Sequence, residues 1–265
     1  MITSTANQKV KNVVALQKKA KERKEQRLFV AEGRKMVLEV LRDAPEAVAE
    51  VYVTGEYLGD AKQAEALCGV SYEMVSESVM KAMAETLEPQ GILALVRMPE
   101  YDFDRLWQQE DGLWIALENL RDPGNLGTIL RTAEAAGVSG VILSPESVDI
   151  YNPKVIRSTM GAIFRVPHFY PENFAEVLNA MKQDGATLYA AHLAGTMFYD
   201  EPEYKGRSVI LIGNEANGLS DEISSRADCL VRIPMEGKAE SLNAAVAAAL
   251  MMYEGYRARR RTALK

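Results

Sequence analysis

The chain is poor in the residues that build metal centres and disulfide frameworks. Its 265 residues include two cysteines and two histidines, which lie far apart at Cys68, Cys229, His168 and His192. A metal site needs several such side chains close together, and a disulfide framework needs more cysteines. We therefore expect no metal and no disulfide, and we expect both imidazoles to be ordinary core or surface residues.

Long apolar runs are also missing. The apolar stretches, such as residues 209–212, have the length of a strand, and the polar, basic start of the chain has no segment typical of a signal peptide. We therefore expect a cytoplasmic protein without a membrane partner. No Gly-x-Gly-x-x-Gly or P-loop pattern occurs, which argues against a nicotinamide or nucleoside-triphosphate site.

Charge is distributed unevenly along the chain. The net charge is −6, yet residues 1–37 hold ten Lys or Arg against three Glu, and residues 257–265 add Arg257, Arg259, Arg260, Arg261 and Lys265. A solvated helix face would explain either basic cluster alone. Two basic ends together favour a polyanion as partner, because binding would release counterions from its phosphates.

The first hundred residues have the alternating pattern of a small α/β unit. Apolar residues recur at helical spacing over 7–27, 36–41, 60–67 and 76–85, and strand-like stretches occupy 28–33, 49–53, 70–75 and 91–96. Acidic, aromatic and proline residues at 98–104 predict a linker. We expect a first domain at 1–98, a linker at 99–111 and a second domain at 112–265.

The second domain repeats strand, loop and helix, which predicts βαβ units and a parallel sheet. Strands are expected at 113–117, 141–143, 163–169, 187–192 and 208–212, and helices at 126–136, 152–162, 173–183 and 241–261. The pair Pro123-Gly124 predicts a non-helical loop before the first of these helices.

Three stretches of this domain place a polar loop directly after a strand. They contain Glu-Asn-Leu-Arg-Asp-Pro-Gly-Asn-Leu-Gly at 118–127, Gly-Asn-Glu-Ala-Asn-Gly-Leu at 213–219 and Ser-Leu-Asn-Ala-Ala-Val at 241–246. In the third stretch Ser241 is placed to cap the last helix, and Asn243 lies in its first turn. A capped core helix would explain that stretch alone. The three together predict a site at the strand ends.

These stretches resemble the three signature motifs of the SpoU, or TrmH-like, RNA ribose 2′-O-methyltransferases of the SPOUT superfamily. The resemblance extends over about residues 112–257. It implies a parallel-sheet α/β domain with a deep trefoil knot, S-adenosylmethionine as cofactor and RNA as substrate. Residues Phe29 to Gly33, followed by a helix, resemble a ribosomal-protein-L30e-like substrate-binding domain found in the same enzymes.

The resemblance also implies site residues. The positions that hold the methyl donor match Gly213, Ile233 and Leu242, with the two apolar side chains flanking the adenine and Gly213 clearing space. The catalytic positions match Arg131, Asn125, Glu215, Ser241 and Asn243. Asn119 is a further candidate, because it lies in the same loop as Asn125.

Arg131 matches the arginine for which the family proposal is a general base. A guanidinium stays protonated in proteins, so we expect Arg131 to clamp a phosphate and to hydrogen-bond the ribose oxygen as negative charge develops there. The alternative is a surface arginine paired with Glu134. Arg157 and Ser158 could contact RNA phosphate or cap and solvate their helix, and we favour the second interpretation.

Methylation of 23S-type ribosomal RNA is the function we expect, because a separate substrate-binding domain suits folded ribosomal RNA. Methylation of transfer RNA is the first alternative, and a catalytically silent RNA-binding or ribosome-assembly protein is the second. We also expect a homodimer. A face of the last helix that contains Ala245, Ala248, Ala249, Met252 and Tyr256 is too apolar to be left in water, and family members dimerise through their catalytic domains.

Overall fold

The computed structural model of the protein describes residues 1–263, with side chains through residue 260. They form two compact units, one of Met1–Glu100 with Asp149–Arg165 and the other of Tyr101–Val148 with the chain from Val166 onward. The expected division into 1–98, 99–111 and 112–265 placed residues 149–165 in the second domain. The structure groups them with the first unit instead.

The first unit is built on a four-stranded sheet. Its strands are β1 (Leu28–Glu32), β2 (Val48–Thr54), β3 (Glu73–Val75) and β4 (Ile92–Arg97). Its helices are α1 (Gln8–Lys18), α2 (Ala20–Gln26), α3 (Arg34–Asp43), α4 (Gly55–Gly59), α5 (Ala61–Glu65), α6 (Glu77–Met83) and, from the later segment, α9 (Pro153–Thr159). The strand order is β1-β4-β2-β3, with β4 antiparallel to both neighbours and β2 parallel to β3.

The expected single helix over 7–27 is wrong, because the structure breaks it into α1 and α2 at Lys19. The Lys19 backbone is extended, with φ −122° and ψ 114°. Arg23 is buried below this break, and its Nη1 donates to the carbonyl oxygens of Leu16 and Gln17 at 2.6 and 3.2 Å. A buried guanidinium thus satisfies carbonyls that end α1 without an intrahelical partner.

Residues 149–165 join the first unit through charged and aromatic contacts. Asp149 Oδ2 lies 2.7 Å from Arg23 Nη2, and the rings of Tyr151 and Phe164 lie 4.9 and 6.2 Å from that of Phe29. The expected strand over 163–169 shortens to His168–Phe169, because Ala162–Phe164 forms a 3₁₀ turn in this segment.

The second unit is built on a seven-stranded sheet whose paired strands are all parallel. Its strands are β5 (Leu113–Leu117), β6 (Gly140–Leu143), β7 (His168–Phe169), β8 (Thr187–Ala191), β9 (Met197–Phe198), β10 (Ser208–Ile212) and β11 (Cys229–Arg232). Its helices are α7 (Phe103–Trp107), α8 (Pro123–Ala135), α10 (Phe174–Gln183), α11 (Asp221–Ser224) and α12 (Ala244–Ala263). The strand order is β7-β6-β5-β10-β8-β11-β9. The expected parallel α/β class is confirmed, and the trefoil knot stays a prediction.

Two local expectations in this unit are wrong. Pro123 and Gly124 are the first residues of α8 and not a loop, because Asp122 caps the helix and proline is well suited to a first helical position that needs no N–H. The expected linker contains α7, whose Phe103 and Trp107 pack on Trp114 at ring distances of 5.5 and 5.6 Å.

The core of the second unit leaves little freedom around β5 and β6. Trp114 is buried, and a Cβ added to Gly140 would lie 2.4 Å from its ring. His168 is also buried, as expected for a core imidazole. Within residues 1–263, no helix combines the length and the apolar character that crossing a membrane requires.

Candidate active site

The three motifs meet at one edge of the seven-stranded sheet. β5, β10 and β8 are consecutive neighbours, and β11 pairs with the far side of β8. Because parallel strands all end at the same edge, the loops that follow β5, β10 and β11 lie beside one another there.

The loop after β10 is closed by its own backbone. The N–H groups of Asn214 and Gly218 each donate to the other residue's carbonyl at 2.9 Å, and Asn214 Oδ1 accepts from the N–H groups of Ala216 and Asn217. A Cβ on Gly213 would lie 2.0 Å from the carbonyl carbon of Gly218. Glycine at 213 is therefore required by this close approach within the loop, and the expectation that it also clears space for a ligand stays a prediction.

Glu215 ties this loop to the first motif. Its carboxylate accepts from the N–H groups of Arg121 and Asp122 at 3.2 and 3.0 Å and from Asn125 Nδ2 at 3.0 Å. Burial alone would raise the pKa of Glu215, but the hydrogen bonds from Asn125 and from backbone N–H groups outweigh it and lower that pKa. The ionised carboxylate is thus a structural acceptor that joins two motifs.

Asn125 and Asn243 join the first motif to the third. Asn243 Nδ2 donates to Asn125 Oδ1 at 2.9 Å, and Asn243 Oδ1 accepts from the N–H groups of Ala245 and Val246. Asn243 is therefore the residue that caps α12, and the expectation that Ser241 does so is wrong. Glu215, Asn125 and Asn243 form one hydrogen-bonded chain across all three motifs.

A cavity of about 320 Å³ opens beside this chain. It is lined by all three expected donor-binding residues and by two of the expected catalytic ones, namely Gly213, Ile233, Leu242, Glu215 and Ser241. Its walls also include residues that sequence reasoning missed, among them Ala191, His192, Leu193, Met235 and Glu240. The end of β8 supplies the first three, and its place beside β10 at the same sheet edge was the signal that could have identified them.

Arg131 lies apart from the cavity wall and from the hydrogen-bonded chain. It is two turns beyond the start of α8, and its side chain is exposed. Among the residues that the structure describes, including Glu134, no hydrogen bond or ion pair engages the Arg131 guanidinium. The structure therefore gives no support to a surface pair with Glu134, and a role of the guanidinium towards a ligand stays a prediction.

The further candidates have structural roles. Asn119 has a left-handed backbone (φ 53°), donates its N–H to Ser144 Oγ at 2.9 Å and accepts from Asn214 Nδ2 at 2.7 Å through its carbonyl. Ser158, in the first unit, donates its hydroxyl to the carbonyl of Lys154 at 2.8 Å. Its hydroxyl is thus engaged with its own helix, as we favoured.

The basic end of the chain is largely used within the second unit. Arg257 pairs with Glu254, and Arg259 pairs with Asp111 and donates to the carbonyls of Gly112 and Gly206 at 2.9 and 2.6 Å. The side chain of Arg261 and the whole of Lys265 lie outside the described residues. Of the described part of this cluster, Arg259 therefore ties α12 to other segments of its unit.

The apolar face of α12 differs from the one expected. Ala245, Ala248 and Met252 are buried within their own unit and are not available to a partner. The exposed apolar side chains lie on another face of the helix, at Val246, Tyr253 and Tyr256, which are 48%, 48% and 41% exposed. A charged residue at Met252 would therefore disrupt the core before it affected any assembly.

The cavity has a mixed lining. Ile233, Leu242 and Leu219 supply apolar wall, and the acidic residues Glu215 and Glu240 also line it. Pockets of this size and mixed lining are typical of small-molecule and cofactor sites. Among residues 1–263, no group of His, Cys, Asp or Glu is placed to hold a metal ion.

Comparison with known proteins covers both units. The model of the SpoU rRNA Methylase family matches residues 112–253, and that of the MRM3-like substrate binding domain matches residues 7–94. The chain is 35% identical to the 23S rRNA (guanosine(2553)-2′-O)-methyltransferase RlmP of Bacillus subtilis strain 168, over 95% of this chain and 97% of that protein.

Solved structures agree with these matches. The SpoU methyltransferase AviRb from Streptomyces viridochromogenes, in complex with the cofactor AdoMet, has a TM-score of 0.85 and 31% identity, over 96% of this chain and 98% of that chain. The A. aeolicus TrmH/SpoU tRNA modifying enzyme matches less of this chain, with a TM-score of 0.53 and 30% identity over 60% of this chain and 83% of that chain. Together with the three linked motifs, these matches show that the chain belongs to the SpoU rRNA methylase family.

Proposed function

We propose that this protein transfers a methyl group from S-adenosylmethionine to a ribose 2′-hydroxyl of ribosomal RNA. The observation that carries the proposal is the hydrogen-bonded chain of Glu215, Asn125 and Asn243, which fixes all three motifs around one cavity. The similarity to RlmP, named as a 23S rRNA ribose methyltransferase, supports the same reaction class.

The cavity residues are the ones that would hold the methyl donor. Ile233 and Leu242 offer apolar wall to a purine, and the loop from Gly213 to Leu219 offers backbone groups. When bound, S-adenosylmethionine supplies a methyl group that a nucleophilic oxygen can attack. The protein's task is then to orient the two reactants, which by itself lowers the barrier substantially.

Arg131 is the group that we assign to the RNA. Its guanidinium is exposed and stands outside the wall of the donor cavity. It can hold a phosphate oxygen through two N–H groups and donate to the ribose oxygen as charge develops, without giving up its own proton. The proton of the hydroxyl then leaves to phosphate or water.

Ribosomal RNA is favoured over transfer RNA as the substrate. RlmP aligns with 95% of this chain, whereas the tRNA-modifying TrmH/SpoU structure aligns with 60%. The unit built around residues 7–94, which matches a substrate-binding domain, is thus shared with an enzyme named for ribosomal RNA. With ribosomal RNA as substrate, we place the activity in the cytoplasm.

We also propose a homodimer that buries the exposed face of α12. Val246, Tyr253 and Tyr256 form an apolar row on the helix that follows the third motif. Replacement of Tyr253 by Glu should produce a folded monomer near 29.3 kDa, because the residue is half exposed in the single chain. Light scattering on the variant and on the matched surface change Tyr72→Glu would test this, and a monomeric unchanged protein would contradict it.

Methyl transfer to defined RNAs tests the function directly. Purified protein with labelled S-adenosylmethionine should label 23S ribosomal RNA, and mapping of 2′-O-methyl positions in cells with and without the protein should identify one lost site. Labelling of transfer RNA alone would establish the first alternative. Donor binding without transfer to any RNA would establish the silent RNA-binding protein.

A further inference from the structure

The basic residues near the start of the chain do not form a single surface. Arg23 is buried, and its Nη2 lies 2.7 Å from Asp149 Oδ2. Lys9 Nζ lies 3.5 and 3.7 Å from carboxylate oxygens of Glu50 and Glu73. These two basic residues are therefore neutralised within the first unit, and they do not contribute to a surface that could bind a polyanion.

Part of the remaining positive charge lies where α1 meets α2, while Lys11, Arg34 and Lys35 are exposed elsewhere in the first unit. Lys18, Lys19 and Lys24 are exposed, and no carboxylate of the described residues pairs with any of them within 4.0 Å. The neighbouring Lys21 is paired with Glu25 at 3.7 Å, an exposed and therefore weak ion pair. The lysine corner consists of Lys18, Lys19 and Lys24.

The backbone of the lysine corner is held by hydrogen bonds from the buried side chain of Arg23 and from the Lys19 N–H. Arg23 Nη1 donates to the carbonyls of Leu16 and Gln17, directly before Lys18, and the Lys19 N–H donates to the carbonyl of Ala15 at 2.8 Å. Asp149 holds the other side of the same guanidinium through Nε and Nη2, at 2.9 and 2.7 Å. The lysine corner is therefore presented by an ordered turn and not by a frayed helix end.

We propose that the lysine corner binds the phosphodiester backbone of the RNA that the protein methylates, an inference that rests on the proposed function. Three unpaired ammonium groups on a fixed turn can neutralise neighbouring phosphates and release their counterions. An ammonium is a point charge without the planar fork that reads a base edge, so the lysines position the RNA and do not select its sequence. Arg23 acts as a positioning residue for the three lysines.

Salt-dependent binding tests this assignment. The full-length protein and the variant Lys18→Gln/Lys19→Gln/Lys24→Gln would be titrated with transcribed 23S ribosomal RNA over a series of KCl concentrations. Because the variant would leave three phosphates without a cation, the slope of log K against log salt should fall by about 2 to 3, and affinity should fall on the order of 100-fold at 0.1 M salt. The affinity for S-adenosylmethionine should not change.

A charge-matched control is Lys62→Gln/Lys81→Gln/Lys154→Gln, which removes three exposed lysines elsewhere. It should keep most of the wild-type slope. If both triple variants lose equal slope and equal affinity, the lysine corner is ordinary surface charge and the inference is overturned. Failure of the wild-type protein to methylate any RNA would instead overturn the proposed function, whatever the binding data show.

Discussion

Glu215 and Arg131 have opposite charges and opposite surroundings. The Glu215 carboxylate is occupied by two backbone N–H groups and the Asn125 amide, while the Arg131 guanidinium is exposed and unengaged among the described residues. A carboxylate that accepts three hydrogen bonds, and whose pKa they lower, is a poor acceptor for a substrate proton. We therefore assign Glu215 a structural role in joining the motifs and Arg131 a role in contacting the RNA.

Replacement of Glu215 by Gln should weaken donor binding. The new amide turns one acceptor oxygen into a donor that faces N–H groups, which costs about 1 to 2 kcal/mol in charge-assisted hydrogen bonding. We expect the Kd for S-adenosylmethionine, measured by calorimetry, to rise roughly tenfold. Glu236→Gln, an exposed change in the loop before α12, is the control. Equal donor affinity in all three proteins would contradict the structural role of Glu215.

Replacement of Arg131 by Ala should abolish transfer but preserve donor binding. The guanidinium lies outside the cavity wall, and loss of a group that stabilises developing charge typically costs about 100-fold or more in kcat. Single-turnover transfer and calorimetry on Arg131→Ala would separate the two effects, with Arg105→Ala on α7 as a surface control. Joint loss of donor binding and activity would place Arg131 in the donor site instead.

At the scale of elements, sequence patterns identified the buried strands well and the helix ends poorly. β5 and β10 are continuous apolar runs that become buried neighbours, so their pattern was sufficient. Several polar residues could have capped α8 and α12, and the sequence did not show which of them do. In the structure Asp122 and Asn243 cap these helices by accepting hydrogen bonds from the N–H groups of Asn125 and Ala245. The resemblance pointed to Glu215, but it could not show that the first motif already occupies this carboxylate.

The pair between Arg23 and Asp149 should matter for stability. Asp149→Ala leaves a buried guanidinium without its carboxylate, and removal of one partner of a buried pair typically costs about 3 to 5 kcal/mol. Urea unfolding of Asp149→Ala would measure the loss, with Asp104→Ala at an exposed acidic residue as the control. The double change Arg23→Met/Asp149→Leu should recover part of it. A loss below about 1 kcal/mol for Asp149→Ala would show that the pair does not form.

At the scale of the whole molecule, the sequence predicted two units, but it did not predict which segments of the chain belong to each. An α/β pattern up to residue 97 predicted the first sheet, whereas nothing in residues 149–165 signalled that their aromatic rings pack on Phe29. Deletion of residues 1 to about 98 therefore removes the partners of this segment. The truncated protein should bind RNA weakly and also expose Tyr151 and Phe164.

Stability should fall as the pH is lowered below neutrality. Burial lowers the pKa of His168 to about 4, although its hydrogen bond with the Val166 carbonyl acts in the opposite direction. An unfolded imidazole titrates near 6.5, so between these values the unfolded chain binds a proton that the folded chain does not. The contribution of His168 is complete above pH 6.5 and is lost towards pH 4.

Urea unfolding at about pH 7.5 and about pH 5 would measure this dependence. Between these two pH values, protonation of His168 in the unfolded chain should lower the free energy of unfolding by about 2 kcal/mol. The free energy of unfolding of the variant His168→Gln should depend correspondingly less on pH, whatever its absolute value. An identical slope in both proteins would mean that other groups control the acid sensitivity.

The first unit is built from two separate segments of the chain, and this limits how far it can fold during synthesis on the ribosome. Its sheet is complete once residue 97 has been synthesised, but Asp149, Tyr151 and Phe164 follow only after β5, α8 and β6 of the second unit. The guanidinium of Arg23 therefore has no ion pair with Asp149 until the nascent chain has grown past residue 149. The N-terminal unit cannot mature ahead of the rest, and a chain stalled before residue 149 should stay protease-sensitive between α1 and β1.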